Sequence, residues 1–169
     1  MKLEREAMQH YLDTTWKLKA ETADWEILGD DIEDMSVEMN SDTEQKQNIL
    51  GQTKTTDKGY TPSMDAEPYY ADPEKKLYPK IKSIALDRLT GDKCKTLMLE
   101  VVIEDTEAAK HIAYVQEVLV KVKSYGGGTE GLDFPFTVSD NGKRTKGYVT
   151  KESIAAGKPV FTAGEIEAV

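Results

Sequence analysis

The chain has 169 residues, of which 38% are hydrophobic and 31% are charged. This composition fits one domain with a modest hydrophobic core and a large solvent-exposed surface. The hydrophobic fraction is too low for an apolar-rich enzyme barrel. The longest apolar runs span only a few residues, and acidic residues interrupt the N-terminus, so the sequence predicts neither a membrane span nor a signal peptide. The single cysteine, Cys94, excludes an internal disulfide framework and a cysteine metal cage, and it fits a reducing cytosol.

The net charge of −9 is concentrated in one segment. Residues 21–45 contain ten acidic residues and no lysine or arginine, so the rest of the chain sums to +1. Contact with phosphates needs a positive patch, and this distribution therefore argues against direct nucleic-acid binding. The segment is interpreted as a solvated acidic face that keeps the protein soluble, and it is also compatible with a surface that repels DNA.

The N-terminal part is predicted to change from a helical to an extended pattern. Residues 1–13 have weak helical spacing and are predicted as a short helix or a flexible arm. Apolar and polar residues then alternate with the two-residue period of a half-buried strand at 16–20, at 25–27 and at 35–39. The polar face of the last strand carries Asp34, Ser36, Glu38 and Asn40.

The segment 48–70 is predicted as a hairpin of two short polar strands. Asp57-Lys58-Gly59 supplies the aspartate and glycine that a tight reversal with positive φ favours. Prolines at 62 and 68 favour a position at a sheet edge. Three tyrosines of the segment are predicted either to cap an edge of the core or to anchor a contact between subunits: Tyr60, Tyr69 and Tyr70.

A helix is predicted over about 73–89. Asp72-Pro73-Glu74 is typical of a helix start, and Thr90-Gly91-Asp92 is typical of a stop. Pro79 interrupts the apolar stripe, so the regular helix is expected to begin at or near it.

The C-terminal half predicts further strands. Alternation over 94–104 and 113–125 indicates two of them, and Asp140-Asn141-Gly142 predicts the turn of a second hairpin. Residues 156–169 are predicted to form a C-terminal tail. With seven to nine strands and one helix, the expected fold is mainly β, a sandwich or barrel over residues 14–155 with one flanking α-helix.

The sequence lacks a reactive constellation. His10 and His111 are predicted to be ordinary surface residues, since neither belongs to a zinc-type pair. The glycines at 126–128 lead into strand-like sequence, which excludes a dinucleotide fingerprint. The acidic cluster at 30–34 lacks the ligand spacing and central glycine of a calcium loop. We therefore expect no enzymatic activity, no cofactor and no metal.

An ordered set of short motifs between residues 16 and 150 resembles the tail tube proteins of phages and prophages of Gram-positive hosts. The matching segments are Trp25-Glu26-Ile27-Leu28-Gly29-Asp30-Asp31, Met35 to Asn40, Asn48-Ile49-Leu50-Gly51, Gly59-Tyr60-Thr61-Pro62-Ser63, Pro68-Tyr69-Tyr70, and Ser124-Tyr125-Gly126-Gly127 with Gly131. No single segment is diagnostic, and the specificity lies in their order and spacing.

The resemblance implies a tail-tube-like subunit, related to the tubes of contractile injection systems. Six copies would close into a ring, rings would stack, and DNA would pass through the channel without specific binding. The partners would be further copies, together with other tail proteins such as a sheath, a terminator or a baseplate initiator. Assembly would take place in the host cytoplasm, the final location would be the virion tail, and no membrane would be involved.

The resemblance also suggests roles for particular residues. The 48–70 hairpin and the two termini would lock one ring onto the next, with inter-subunit contacts at Leu50, Tyr60, Tyr69 and Tyr70. The acidic strand face of Asp34, Ser36, Glu38 and Asn40 would line the lumen, because an acidic channel repels DNA.

Two other classes of protein are alternatives. A carbohydrate- or cell-wall-binding β-sandwich from a phage baseplate or a bacterial surface would expose a platform of aromatic residues. Trp16 and Trp25 are instead predicted to face the core, since both lie in apolar alternation. A metal-dependent hydrolase would need calcium- or zinc-dependent activity.

Overall fold

A computed structural model describes residues 1–166, which form ten strands and two α-helices joined by short 3-10 turns. The strands are β1 (Met8–Asp13), β2 (Trp25–Leu28), β3 (Val37–Glu38), β4 (Ser41–Gln47), β5 (Thr53–Tyr60), β6 (Ser63–Ala66), β7 (Lys95–Val102), β8 (Lys110–Val122), β9 (Phe136–Thr150) and β10 (Phe161–Ala163). The helices are α1 (Tyr78–Leu86) and α2 (Lys151–Ala155). The predicted mainly β fold with a flanking helix is confirmed.

Eight strands form one antiparallel sheet in the order β2-β1-β7-β8-β9-β6-β3, with β10 added beside one end of β9. Strands β4 and β5 form a separate two-stranded hairpin. The large sheet curls into a half-barrel. Leu28 of one edge strand and Met64, which pairs with the other edge strand, belong to the same buried cluster, so this cluster fills the concave side.

Both faces of the sheet are covered by the chain itself. Side chains alternate along β7, so Met98 points into the concave cluster while Leu97 and Leu99 point into a second cluster on the opposite face. Helix α1 closes the concave cluster, and Ile154 of α2 packs on the other face. Burying an aliphatic side chain stabilises the fold by about 1.5–3 kcal/mol, so the two clusters are the main source of stability.

The N-terminal segment differs from the expectation of a helix or arm. After a single 3-10 turn, residues 8–13 form β1, which lies between β2 and β7 inside the sheet. The alternation at 16–20 does not form a strand, because Trp16 and Leu18 adopt positive φ angles of 57° and 59°. Tertiary packing of β1 on both faces of the sheet overrides the weak helical spacing.

Two Asp-X-Gly triplets were predicted as turns, and both predictions are wrong. The chain reverses instead at residues 48–52, so the hairpin spans 41–60 rather than 48–70. Gly59, with φ of 91°, serves a β-bulge: the register moves from Ser41↔Tyr60 to Thr43↔Asp57.

The second triplet lies inside β9, which runs on as one long strand. Gly142 has a φ of 100°, and the register with β8 shifts from Gln116↔Arg144 to Val118↔Asp140, which leaves two extra residues on β9. The positive φ that an Asp-X-Gly triplet favours therefore serves bulges in this protein, not reversals.

Helix α1 is shorter than the predicted 73–89, but it begins beside Pro79 as expected and buries the apolar stripe of Ile81, Ile84 and Ala85. Part of the predicted tail forms a strand, since Phe161 to Ala163 pair with β9; residues 167–169 of that tail lie outside the described part. Within residues 1–166, no helix has the length and apolar character needed to cross a membrane.

Candidate assembly surface and polar cleft

Four neighbouring strands bring a row of polar side chains to the concave face. His10 of β1 pairs with Glu100 of β7, and Gln116 of β8 pairs with Arg144 of β9. All lie on the same face as the buried Leu12, Met98 and Val118 because they share the two-residue period of those strands. One end of the half-barrel is therefore apolar and closed by α1, and the other end has a polar floor.

The row is held together by charged hydrogen bonds. Nε2 of His10 lies 3.2 Å from Oε2 of Glu100. The Arg144 guanidinium donates to Oε1 of Glu100 at 3.0 Å and to Oε1 of Gln116 at 3.1 Å. It also lies 4.2 Å from the centre of the Tyr114 ring, a cation–π contact. Each polar group is thus oriented by at least one neighbour.

The pKa values of two carboxyl groups near this row shift in opposite directions. The hydrogen bond from His10, assisted by the charge of Arg144, lowers the pKa of Glu100 against the effect of its burial. Burial raises the pKa of Asp140, only partly offset by Arg144. Glu100 therefore stays ionised to a lower pH than an ordinary glutamate, whereas Asp140 loses its charge at a higher pH than an ordinary aspartate.

The prediction that both histidines are surface residues is wrong. His10 is 1% exposed and His111 is 5% exposed. Burial, with a smaller contribution from Lys151, lowers the pKa of His111. Nδ1 of His10 has no hydrogen-bond partner among the described residues, although it is buried. Such a group is costly unless something else satisfies it.

A cleft of about 840 Å³ opens over the polar row. Its floor includes His10, Glu100 and Arg144, and its walls come from the N-terminal segment, the approach to β3 and the base of the β4–β5 hairpin. The larger aliphatic side chains of the lining are Leu3, Met8, Met35, Val37, Met39 and Val102. A second hollow of about 670 Å³ adjoins it and adds Glu6 and Glu33 to the rim. We refer to the two together as the cleft.

The β4–β5 hairpin carries two apolar residues at its tip. Ile49 is 102% exposed and Leu50 is 77% exposed. The Asn48 side chain fixes the turn, since its Oδ1 accepts hydrogen bonds from the backbone N–H groups of Leu50 at 2.9 Å and of Gln52 at 3.0 Å. The tip is therefore a defined shape with its apolar groups in water.

The four residues predicted to line a lumen lie at and beside the edge strand β3. All four are exposed, while Met35 between them is buried and Val37 is half-buried, so the predicted alternation holds locally. Only Val37 and Glu38 form ladder pairs, with β6, and Asn40 leaves the strand with a φ of 49°. The lumen assignment of Asp34, Ser36, Glu38 and Asn40 stays a prediction.

The predicted inter-subunit residues separate into two groups. Leu50 and Tyr60, at 77% and 59% exposure, are available to another chain. Tyr69 is buried in the core, where its ring packs edge-on against Phe136 at 5.2 Å, so its side chain is not on the surface. The half-buried Tyr70 hydroxyl donates to Glu130 at 3.1 Å.

The aromatic side chains do not form an exposed platform around the tryptophans. Trp25 is 7% exposed, and Trp16 packs against the concave cluster with Lys80 over its ring at 5.3 Å. Across residues 1–166, histidine, cysteine and carboxylate side chains do not form a group of three suited to a metal ion.

Sequence reasoning missed the polar row. The available signal was a set of polar residues inside otherwise apolar strands, at Glu100 and Gln116. The sequence alone does not give the register that aligns these two residues with His10 and Arg144, because that register depends on the strand order and on the bulge in β9.

No family model matches the sequence, and no curated protein matches it either. Similar folds occur among solved structures. The sheath/tube terminator of an extracellular contractile injection system, PVC, is 9% identical with a TM-score of 0.51, over 86% of this chain and 96% of its own.

The tube-terminating cap of the anti-feeding prophage is 10% identical with a TM-score of 0.50, over 86% and 91% of the two chains. A chain from the C6-symmetric tail of an empty GTA particle is 11% identical with a TM-score of 0.51, over 85% and 98%. At these identities the likeness shows a shared fold.

Proposed function

We propose that this chain is a structural subunit of a phage-like tail tube, in which six copies close into a ring around a channel that DNA passes through. The observation that carries the proposal is the fold likeness to two tube-ending proteins and to a chain of a six-fold symmetric tail. The proposal also includes the partners suggested by the motifs: further copies and other tail proteins such as a sheath, a terminator or a baseplate initiator.

The sheet edges provide a route to ring closure. Strands β2 and β3 end the sheet, and the outer edge of each is unpaired within residues 1–166. Because a strand can be added only at an unpaired edge, the sheet can be extended at β2, at β3, or at the short β10, which pairs only with β9 within residues 1–166. A contact between the β2 edge of one copy and the β3 edge of the next is heterologous, and such contacts generate rings when the rotation closes.

The proposed function has two versions, which differ in the number of rings that the chain forms. In one, rings stack into a long tube. In the other, a single ring ends a tube, a version suggested by the fold likeness to a tube terminator and to a tube-terminating cap. The exposed hairpin favours the first version, because it offers a contact that extends away from the sheet. The channel-facing residues would be Asp34, Ser36, Glu38 and Asn40.

Negative-stain microscopy of the concentrated full-length protein, combined with a mass measurement in solution, tests the proposal. The expected result is hollow six-fold rings, with cylinders of uniform width in the stacking version. Monodisperse single particles at every concentration, even beside a tail nucleating complex, would contradict it. In that case glycan binding by the isolated chain becomes the leading alternative.

A further inference from the structure

We infer that the cleft receives the tip of the β4–β5 hairpin from a second copy of this chain. The inference rests on the proposed function, which it deepens by naming the two surfaces of one subunit contact. It is carried by three complementary properties of the tip and the cleft: apolar surface, charge and reach.

The apolar properties match. Ile49 and Leu50 are the most exposed aliphatic side chains of the hairpin, and they are presented by a turn that Asn48 already holds. A preformed turn loses little conformational freedom on docking. The larger hollow of the cleft, at about 840 Å³, lies within the range of about 300–1,000 Å³ that is usual for binding pockets. Its methionines, Met8, Met35 and Met39, can adapt to aliphatic side chains.

The floor of the cleft offers an unused polar group. His10 is 1% exposed, lines both parts of the cleft, and leaves Nδ1 unpartnered among residues 1–166. An incoming turn carries backbone N–H and C=O groups, and one of these can satisfy Nδ1. This is the kind of polar contact that orients an otherwise apolar occupant.

The charges are also complementary. Lys46 and Lys54 are direct cross-strand partners just behind the tip, and like charges placed opposite one another destabilise a hairpin. Within the hairpin, Lys46 has only Glu44 nearby, at 3.6 Å. The rim of the cleft carries three exposed acids and one arginine: Glu4, Glu6, Glu33 and Arg5. Arg5 donates to the backbone carbonyls of Met8 and Met35, so the acids remain available to the lysines.

The reach of the hairpin excludes an intramolecular contact. Tyr60, at its base, lines the cleft of its own chain. Seven residues of β4 place the tip roughly 20 Å farther away, at about 3.3 Å per residue. The ladder is unbroken from Thr43 to Gln47 and the tip residues Ile49 and Leu50 are exposed, so the tip does not fold back onto its own cleft and would meet the cleft of another copy, in a heterologous contact.

Disulfide trapping tests the contact directly. Leu50→Cys and Met39→Cys are made separately in the full chain, mixed at high concentration and oxidised mildly. The native Cys94 is fully buried and serves as an internal control. Val160→Cys, at 64% exposure and outside the cleft, is the matched partner control. The expected result is a mixed dimer of the first pair in clear excess over Leu50→Cys with Val160→Cys, and equal yields would overturn the inference.

Microscopy of the unmodified protein separates this inference from the proposed function. Rings or tubes without the trapped pair overturn the docking site and leave the tube role standing. A trapped pair without rings supports the docking site and overturns the tube role. Absence of both overturns both.

Two double substitutions in the hairpin give the energetic test. Ile49→Ser with Leu50→Ser is expected to weaken self-association at least about tenfold, whereas Val160→Ser leaves it unchanged. Lys46→Glu with Lys54→Glu is expected to weaken it too, and Glu4→Lys with Glu6→Lys on the second copy to restore it. Lys158→Glu is the charge control. Loss without restoration by the acid reversals would overturn the charge pairing.

Discussion

Strands β5 and β7 are both eight residues long, but they are stabilised in different ways. In β7, five of the eight residues are buried, with side chains entering clusters on both faces of the sheet. In β5, all residues but Gly59 are exposed, and the partner strand β4 is almost equally exposed to solvent. β7 is stabilised by burial, whereas β5 depends on a turn, a ladder and threonine-rich β propensity.

The difference indicates which part of the molecule is complete. Almost all residues of β4 and β5 are exposed, so the hairpin gains little stabilisation from the rest of its own chain, and an isolated two-stranded hairpin is only marginally stable in water. The sheet buries apolar clusters on both of its faces, whereas Ile49 and Leu50 at the tip of the hairpin are exposed to solvent. The five predictions below challenge this contrast, starting with the largest expected effect.

Removing a core side chain from β7 should destabilise the whole molecule. Leu99 is completely buried, so Leu99→Ala is expected to lower the free energy of unfolding by about 2–5 kcal/mol. The matched change in the hairpin, Thr55→Ala, should alter it by no more than about 0.5 kcal/mol. Urea denaturation measures both. Comparable losses at the two sites would mean that the hairpin is part of the cooperative core.

Removing the side chain that fixes the turn should loosen only the hairpin. Asn48→Ala deletes two hydrogen bonds to backbone N–H groups, worth about 1 kcal/mol each. Hydrogen exchange should accelerate at the amides of β4 and β5 and stay unchanged in β7, with the urea midpoint preserved. Gln52→Ala, which removes an acceptor of the Asn48 side chain but leaves both backbone bonds, is the control. Faster exchange throughout the sheet would show that the hairpin and the sheet open together, which would contradict the contrast between them.

The polar row should make the stability of the sheet depend on pH. The folded pKa of Glu100 is lowered, so its contribution is present above the unfolded value of about 4.3 and is lost as the pH falls through the folded value. Glu100→Gln should therefore be less stable than the native protein at pH 7, with a smaller difference below pH about 4. Denaturation midpoints across pH measure this.

Asp140 should behave in the opposite sense. Its folded pKa is raised, so its ionisation costs stability as the pH rises from about 3.9 through the folded value. Asp140→Asn is expected to be slightly more stable than the native protein at pH 7 and equal to it at low pH. The same sign for both variants would contradict the opposite shifts.

The smallest effect on stability is expected at the edge of the sheet. Asp34 and Glu38 are exposed, so Asp34→Lys with Glu38→Lys should change the free energy of unfolding by less than about 0.5 kcal/mol. If these residues line a channel, tubes should still assemble and DNA should pass more slowly, because lysines attract phosphates. Glu152→Lys on α2 is the charge control. Normal ejection kinetics from the variant tubes would refute the lumen assignment.

Residue patterns predicted the parts of the fold that depend on local periodicity. The strands at β2, β7 and β8 follow from alternation, and α1 follows from its apolar stripe and proline. Other features depend on context. A positive φ at Gly59 or Gly142 suits a turn or a bulge equally well, and only the opposing strand decides between them. The true reversal uses Asn48, whose side-chain hydrogen bonds are visible only once the turn has formed.

The candidate site was less predictable than the fold. The exposure of Leu50 and Tyr60 agrees with their proposed role in contacts, but the burial of Tyr69 depends on packing against Phe136, which is distant in the sequence. His10 was placed at the surface because an isolated histidine gives no sign of its partner. That partner, Glu100, lies 90 residues away and reaches it through strand pairing.

The curl of the large sheet has a consequence for symmetry. Since one polypeptide already bends the sheet around its own concave cluster, the arc between β2 and β3 is set before any copies meet. If copies join edge to edge, the number needed to complete a circle follows from that arc and from sheet twist. Core substitutions that flatten the bend would then alter ring diameter, even though the substituted residues lie away from the sheet edges.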